Sequence, residues 1–369
     1  MNPSAESKAG HRVDDIRVLG WGELTQNHKQ IWEQIRTTEA SYRTPFFSTS
    51  FTDAVHAVRG DVLVAVLHCD NEAIGFLPYH QIGKVALPAG RFFNDAHSVI
   101  ISPEHSFDWY QLLKQCGLKA YDFHALVGHG QALDERFSDG TTESFSAELG
   151  DDSQVFLQQL ERSHKTIRRQ EQKTRKMERE VGPLSLEIDC RDKDLLAQTI
   201  DWKRQQYRRT NILDLFTPTW TRDLLHQLHA TPEGSNRGIL SILRAGDEIV
   251  AAHIGMIEGD LLHYWFPAYN VDFSRYSPGT ALFKSIIRAA SEHGIKTVDM
   301  GYGEQPYKRK QTDTITTVSH GCVTQSSVYR NWKRAKKAAG GVLRKVPMKE
   351  QLKAVLRVVQ PNAGISKLE

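Results

Sequence analysis

The sequence predicts an α/β protein built from two similar domains, each a mixed central sheet flanked by helices. A β-hairpin pattern occurs twice, in residues 61–83 and 238–259, as an apolar strand, a short polar turn and a second apolar strand. A second pattern follows in the same order, in 102–123 and 277–300: Ser-Pro, a helical stretch, a glycine stop and a short strand that carries Asp. Two matched blocks in one order favour a duplicated fold over a chance likeness.

Length and composition agree with a folded chain of two domains. The chain has 369 residues, 40% apolar and 25% charged, and roughly 150 residues is an ordinary domain size. The expected divisions are a first domain at 1–145, a second at 146–329 and a basic helical tail at 330–369. The polar N-terminus lacks a signal-peptide core and the longest apolar run, 62–67, is too short to span a bilayer, so a cytoplasmic location is expected.

The cysteine and histidine patterns give no reason to expect a metal cofactor. Structural zinc needs clustered thiolates, and the four cysteines are scattered: Cys69, Cys116, Cys190 and Cys322. The sixteen histidines include no His-Glu-x-x-His pair. The sequence therefore predicts no metal site.

The basic tail concentrates the positive charge of the chain. Net charge is +3, yet residues 330–357 hold ten Lys or Arg and one acid, Glu350. Such a tail is typical of a solvated end or of a segment that meets an anionic surface. Apolar positions such as Trp332 and Leu352 give it amphipathic character, which favours peripheral contact with the inner face of the membrane.

Residues 275–290 place a Ser-Pro-Gly turn directly before a helical pattern. Free amides and a partial positive charge at a helix start form a site for phosphate groups, although proline removes one amide. The first copy has Glu104 where the second has Gly279, and a carboxylate there would repel a diphosphate. We expect the second copy to bind the ligand and the first to act as a scaffold. The predicted cradle consists of Arg275, Ser277, Pro278, Gly279 and Thr280.

Residues 150–325 resemble the C-terminal domain of GNAT superfamily acyltransferases of the cellulose-biosynthesis (CelD/BcsL) type. The likeness rests on "LSILRAGDEIVAAHIGMIEGD", "YWFPAY", "YSPGTALF" and "VDMGYGEQPYK". The N-terminal half resembles the degenerate first domain of that family, and the chain is distantly similar to the FemAB peptidyltransferases.

This resemblance implies tandem GNAT-like domains and acyl-CoA, such as acetyl-CoA, as co-substrate. The pantetheine arm would lie where two parallel strands separate, and the pyrophosphate would rest on residues 277–280. The acceptor would be an amine or hydroxyl of a small-molecule or glycan precursor for surface polysaccharide or cell envelope.

Residues 299–310 supply the densest set of reactive groups. Transfer from a thioester needs a held nucleophile, a proton acceptor and an oxyanion donor. No nucleophile elbow is present, so direct transfer is predicted. Glu304 or Asp299 would act as base or orient the substrate, Tyr307 would protonate the departing thiolate, and Lys308 would hold the acceptor. The structural alternative is that Asp299 caps a turn and Lys308 is solvated.

Acceptor contacts are predicted on two further segments. In 202–216, three residues recur at helical spacing and share a face. A histidine lies alone among apolar residues in the strand "IVAAHIGMI". The alternatives are a solvated helix face and an interior hydrogen-bonded histidine. The predicted substrate-binding residues are Lys203, Gln206, Tyr207, His253 and Tyr302.

Two other functions stay open. Residues 161–180 read as one long basic helix, which suits a FemAB-type transferase that uses aminoacyl-tRNA on a cell-wall precursor. The long two-helix arm usual in that family is missing, so nucleic-acid contact is not favoured. The third possibility is a non-catalytic accessory protein of a polysaccharide synthase.

Overall fold

The computed structural model describes residues 11–128, 133–231, 236–303 and 305–343. These residues form two compact units, and each unit is discontinuous in sequence. Unit 1 holds the described parts of 1–43, 60–141 and 318–349, and unit 2 holds 44–59 and the described parts of 142–317. The unit boundaries therefore differ from divisions at 145 and 329, because a short early segment belongs to unit 2 and a late one to unit 1.

The strands of the described residues are β1 (His11–Arg12), β2 (Asp15–Gly20), β3 (Leu63–Cys69), β4 (Glu72–Ile82), β5 (Val85–Pro88), β6 (Ile100–Ile101), β7 (His105–Ser106), β8 (Ala120–Leu126), β9 (Ser138–Glu148), β10 (Leu184–Glu187), β11 (Asn236–Ala245), β12 (Glu248–Glu258), β13 (Leu261–Tyr269), β14 (Thr297–Tyr302) and β15 (Thr314–Thr324).

The α-helices are α1 (Gln26–Thr38), α2 (Thr49–Arg59), α3 (Trp109–Gln115), α4 (Ser153–Ser163), α5 (Lys165–Glu180), α6 (Lys193–Arg209), α7 (Thr219–Ala230), α8 (Pro278–Ala290), α9 (Lys308–Gln311) and α10 (Ser327–Leu343). None of these helices combines the length and the apolar character needed to cross a bilayer.

Each unit contains a mixed sheet with helices packed on it, so the predicted fold class is confirmed. In unit 1 the order is β15-β8-β5-β4-β3-β2, in which β5 and β8 are parallel and the other neighbours antiparallel. In unit 2 the order is β10-β11-β12-β13-β14-β9, in which β13 and β14 are parallel. Helices α6 and α8 both pack on β12 and β13.

The two predicted hairpins are confirmed at the expected turns. Glu72 opens β4 and Glu248 opens β12, each after a turn of two residues. Asp70 and Asn71 both have positive φ, the conformation of a tight two-residue hairpin turn. In the second hairpin Gly246 supplies the positive φ.

The second repeated block is confirmed in one copy and corrected in the other. Helix α8 buries its apolar face, as its periodicity predicts. In the first copy the expectation that Glu104 lies at the helix start is wrong. Helix α3 begins at Trp109, and Asp108 caps it by accepting the N–H of Gln111 at 2.8 Å. Gly117 follows that helix with φ +66°, and Gly294 follows the helical part of the second block with φ +67°.

The predicted single basic helix over 161–180 is interrupted. Helix α4 ends at Ser163, His164 adopts an extended conformation, and α5 begins at Lys165. Ile167 and Met177 of α5 are buried in the core of unit 2, and Thr174 is buried with them, so α5 is anchored by one narrow stripe and most of its other side chains face solvent.

Candidate functional site

Strands β13 and β14 pair at one end and then separate. Their parallel register covers three positions and ends at His263 and Asp299, although β13 continues to Tyr269 and β14 to Tyr302. On its other side β14 pairs with β9 through an irregularity, where Gly301 has φ +65°. The result is a gap in the sheet of unit 2 that opens just beyond Asp299.

His263 and Asp299 meet at the closed end of this gap. His263 Nδ1 lies 2.9 Å from Asp299 Oδ2, and the N–H of Gly301 donates to Asp299 Oδ1 at 2.8 Å. Burial acts to raise the pKa of Asp299, but His263, the Gly301 amide and Lys308 together hold it below its usual value. A carboxylate with both oxygens engaged and a lowered pKa orients its neighbours well and accepts protons poorly.

Lys203 reaches the gap from α6. Asp192 caps this helix, and Leu196, Ile200, Lys203 and Tyr207 follow one another at helical spacing along its inner face, which draws the lysine inward. Its Nζ donates to the carbonyl oxygen of Pro267 on β13 at 2.9 Å. Burial, followed by repulsion from the Lys308 ammonium, lowers the pKa of Lys203 to about 8.

Lys308 reaches the other side of the gap from α9. It is buried, and its Nζ donates to the carbonyl oxygens of Gly301 at 3.2 Å and Tyr302 at 2.7 Å on β14. Lys308 is therefore anchored to the backbone rather than solvated. The Tyr302 side chain is half-buried, and the neighbouring Tyr307 is exposed. Glu304 lies outside the described residues.

His253 is completely buried in β12 and stacks on Tyr264, with ring centroids 4.2 Å apart. Burial lowers the pKa of His253 to about 3, and His263 adds to this effect. The imidazole is therefore neutral at physiological pH. His253 is therefore interior, as the structural alternative has it, but neither of its ring nitrogens makes, with any described residue, the hydrogen bond that this alternative includes.

The remaining predicted acceptor residues on α6 have different surroundings. Tyr207 is buried and its ring lies 6.0 Å from that of Phe216, so it belongs to the packing under the helix. Lys203 lies over the Tyr207 ring at 5.6 Å. Gln206 is half-buried one turn from Lys203.

The start of α8 follows the predicted turn, with fewer free amides than a long loop would offer. Ser277 has φ +58°, and its carbonyl oxygen accepts the N–H groups of Thr280 at 3.0 Å and Ala281 at 3.3 Å. Pro278 has no N–H. Within the described part of the chain, the amide of Gly279 is thus the first-turn donor left to meet a ligand.

Two cations lie beside this helix start. The Nζ of Lys173 on α5 donates to Ser277 Oγ at 3.2 Å. Arg275 is largely exposed, contacts the Tyr276 hydroxyl and lies 3.7 Å from Glu180. Arg275 is among the residues that the sequence predicts here, whereas Lys173 is not. The basic pattern of α5 was the available signal, but which of its residues reaches Ser277 depends on tertiary packing.

Unit 1 fills the corresponding gap with its own backbone. Beyond the short parallel pairing of β5 with β8, His97 forms a parallel bridge with Leu126. The His97 N–H donates to the carbonyl of Ala125 at 3.1 Å, and the Val127 N–H donates to the carbonyl of His97 at 2.9 Å. The edge of β8 is therefore already paired. This feature, rather than Glu104, supports a scaffold role for the first copy.

One group of possible metal ligands occurs among the described residues: Asp14, Cys69 and Asp70, whose ligand atoms lie within 4.8 Å of one another. The Asp70 N–H donates to the Asp14 carboxylate at 2.8 Å, which accounts for the approach of these residues. The group is remote in sequence from the gap residues and adds nothing to the chemistry there.

Comparison with protein families identifies the segment that carries this geometry. Residues 162–309 match the acetyltransferase (GNAT) domain. The matched GNAT segment runs from the end of α4 into α9 and includes both strands of the gap, α6 and the start of α8. No curated protein matches the chain.

Three solved structures are similar to this chain. FemX has 11% sequence identity and a TM-score of 0.52 over 83% of this chain and 96% of FemX. The C-terminal DUF2156 domain of a protein described as a lysylphosphatidylglycerol synthetase, from Agrobacterium fabrum, has 13% identity and a TM-score of 0.49 over 85% and 95%. A tandem GNAT protein from the clavulanic acid biosynthesis pathway has 8% identity and a TM-score of 0.44 over 85% and 99%. At these identities the likeness to FemX shows the fold.

Proposed function

We propose that this protein is an acyl-CoA-dependent acyltransferase. It would move an acetyl or other acyl group directly to an amine or hydroxyl of a surface-polysaccharide or cell-envelope precursor. The observation that carries the proposal is the separation of β13 from β14 beyond His263 and Asp299, inside the segment that matches the GNAT domain. The acceptor class rests on the resemblance to the cellulose-biosynthesis type.

The open edge of β13 suits the pantetheine arm of the co-substrate. The register of β13 with its parallel neighbour ends at His263, and backbone groups along a strand edge need partners. The amides of a pantetheine arm have the donors and acceptors to supply them. In unit 1 the equivalent edge is paired by His97, so we assign acyl-CoA binding to unit 2.

The start of α8 suits the pyrophosphate. The Gly279 amide, the hydroxyls of Ser277 and Thr280, and the positive end of the helix favour an anion. Lys173 and Arg275 add two cations, of which Arg275 is partly offset by Glu180. A diphosphate would compete with Glu180 for Arg275.

The residues at the mouth of the gap supply the chemistry in this proposal. Lys308 is fixed to β14 and holds an acidic or hydroxyl-rich acceptor. Tyr307 directly precedes it and protonates the departing thiolate. Asp299 orients His263 and the Gly301 turn, since both of its oxygens are engaged.

The proposed place of action is the cytoplasm, at the inner face of the membrane where envelope precursors are assembled. The described start of the basic tail is α10, whose Lys333 pairs with Asp122 at 2.8 Å in unit 1. Residues 344–369, which hold half of the tail's basic side chains, lie outside the described residues. Their contact with a membrane surface stays a prediction.

A second candidate function is aminoacyl transfer from charged tRNA, as in the FemAB resemblance. The likeness of the fold to FemX favours it. So does the exposed basic surface of α5, which includes Arg168, Arg169, Arg175, Lys176 and Arg179.

Calorimetry separates the two functions. Titration with acetyl-CoA should give one binding event in the micromolar range usual for enzyme substrates, and filter binding with aminoacyl-tRNA should give none above the level of uncharged tRNA. The absence of heat with acetyl-CoA would contradict the first function. Selective retention of aminoacyl-tRNA would establish the second.

A further inference from the structure

Beyond the register that β13 and β14 share, one lysine binds backbone carbonyl oxygen on each strand. Lys203 donates to the carbonyl of Pro267 on β13, and Lys308 donates to the carbonyls of Gly301 and Tyr302 on β14. The two ammonium groups are close enough that the charge of one acts on the other. They therefore flank the gap in which the thioester would lie.

The surroundings of Lys203 destabilise its ammonium form relative to that of an exposed lysine, although the Tyr207 ring, 5.6 Å from its Nζ, favours the charge. Its hydrogen-bond acceptor is an uncharged carbonyl, and among the described residues no carboxylate lies within ion-pair distance of its Nζ. A neutral amine can keep its bond to the Pro267 carbonyl, because it still carries N–H groups, and it then has a lone pair available.

The charged and titratable groups around Lys203 come from each neighbouring element. Lys308 on α9 repels its charge, His253 on β12 is neutral, and Asp299 on β14 is bound to His263 of β13. On α7 the pKa of His226 is lowered, first by burial, and the charge of Lys193 at the start of α6 is one of the smaller causes. Burial and the Lys308 charge lower the pKa of Lys203 to about 8. About a tenth of the side chain is then neutral at pH 7.

We propose that the neutral amine of Lys203 is the proton acceptor in acyl transfer, a role that rests on the acyltransferase function proposed above. The acceptor nitrogen or oxygen attacks the thioester carbonyl, so that a new bond to the acyl carbon forms and the carbon–sulfur bond breaks. The proton leaving the acceptor passes to Lys203 Nζ, which becomes an ammonium ion. The departing thiolate takes a proton from Tyr307, which regains one from solvent.

The first test needs no acceptor. Wild-type protein is acetylated with limiting acetic anhydride between pH 6 and pH 11, and the modification of each lysine is measured by peptide mass spectrometry. Lys203 should show its half-maximal reactivity well below that of the exposed Lys296, and Lys308→Met should move the Lys203 midpoint upward. A Lys203 midpoint equal to that of Lys296 would overturn the inference whether or not the protein is an acyltransferase.

The second test asks whether the proton acceptance matters for turnover. Thiol release from acetyl-CoA is followed with glucosamine as the amine and with water alone. Lys203→Met and Lys203→Arg should both lose at least tenfold in kcat, because arginine keeps the charge and cannot release its proton. Acetyl-CoA affinity by calorimetry should stay within twofold of wild type in both.

The pH dependence of kcat distinguishes proton acceptance by Lys203 from a role in which Lys203 only positions the substrate. Wild-type kcat should rise between pH 6.5 and pH 8.5, and this rise should disappear in Lys203→Met. Full activity in Lys203→Arg would overturn the inference, and so would loss of the pH-dependent rise in Glu304→Gln alone. Failure of the wild type to bind acetyl-CoA would instead contradict the proposed function.

Discussion

His263 of β13 and Asp299 of β14 occupy the last register position that the two parallel strands share, and their side chains meet there at 2.9 Å. Each is the third residue of its strand. The pair closes the sheet at the point where the gap begins, and the Gly301 amide holds the second carboxylate oxygen at 2.8 Å. The contact therefore links the separation of the two strands to the protonation state of the buried Asp299 carboxylate.

Asp299→Asn should lower the free energy of unfolding at pH 7 by about 1–3 kcal/mol, because the amide cannot replace both charge-assisted bonds. Since the pKa of Asp299 is below its ordinary value of 3.8 in the folded protein, its stabilisation is fully present above that value. It is lost as the pH falls through the folded pKa. Urea unfolding at pH 7 and at steps down to pH 3 measures the difference.

The control for this change is Asp151→Asn. Asp151 also pairs with a cation, Lys296 at 2.6 Å, but its side chain is 90% exposed. Its substitution should leave the unfolding midpoint at pH 7 unchanged within error. A stability difference for Asp299→Asn that stayed constant from pH 7 to pH 3 would show that the carboxylate charge contributes nothing.

Gly279→Glu should weaken the binding of acetyl-CoA at least tenfold, while Gly279→Ala should bind as wild type does. A Cβ at Gly279 meets only the Tyr269 ring, at 3.9 Å, so the first side-chain carbon of either variant fits without displacing the helix. The glutamate would place a negative charge at the start of α8, where the diphosphate is proposed to rest. Isothermal titration of the three proteins gives the dissociation constants.

The thermal midpoint supplies the control for Gly279→Glu, because an acid in the first turn of a helix is not destabilising. Both variants should therefore melt at or above the wild-type temperature. Equal affinity of the glutamate variant and the alanine variant for acetyl-CoA would place the pyrophosphate elsewhere.

Local patterns in the sequence were sufficient for the hairpins, for α8 and for the glycines that end the two repeated blocks. They were not sufficient where two local choices are nearly equal in energy. Glu104 and Asp108 can both serve a helix start, and the structure uses Asp108. The break at His164 is another such case, since the basic pattern continues through it.

The arrangement of the gap depends on register and tertiary packing, which no single segment contains. The sequence named Lys203, Lys308 and Asp299 separately, yet the contact of Asp299 with His263 follows only once the strand register is known. The membership of residues 44–59 in unit 2 is a long-range property of the same kind.

Gly255→Ala should destabilise unit 2 by about 1–3 kcal/mol, as overpacking of a filled interior does. Gly255 lies at the irregularity between β12 and β13. A Cβ there would approach the His253 ring at 2.4 Å and the His263 carbonyl oxygen at 2.5 Å. The same displacement would disturb His263, so acetyl-CoA binding should also weaken. Gly22→Ala is the control, because a Cβ there meets nothing within 4 Å, and it should change neither stability nor binding. Equal stability of the two variants would show that the backbone at the irregularity relaxes to accept a Cβ at no cost.

Lys284→Met should destabilise the protein by about 1–3 kcal/mol, because it removes the cation of Glu161 and leaves Glu171 with only the more exposed Arg288 at 3.5 Å and Arg175 at 3.9 Å. Lys284 on α8 is 1% exposed and pairs with Glu161 at 2.6 Å and with Glu171, which join α4 and α5 to the helix that begins at the proposed pyrophosphate site. Lys296→Met is the matched control, since Lys296 makes its own ion pair at 2.6 Å but is 52% exposed, and exposed pairs contribute little. Urea unfolding of both variants at low and at high salt should show a loss for Lys284→Met that persists in salt and no resolvable loss for Lys296→Met. Equal losses of stability would mean that the burial of Lys284 with Glu161 and Glu171 does not help to hold α5, and with it Lys173, against α8.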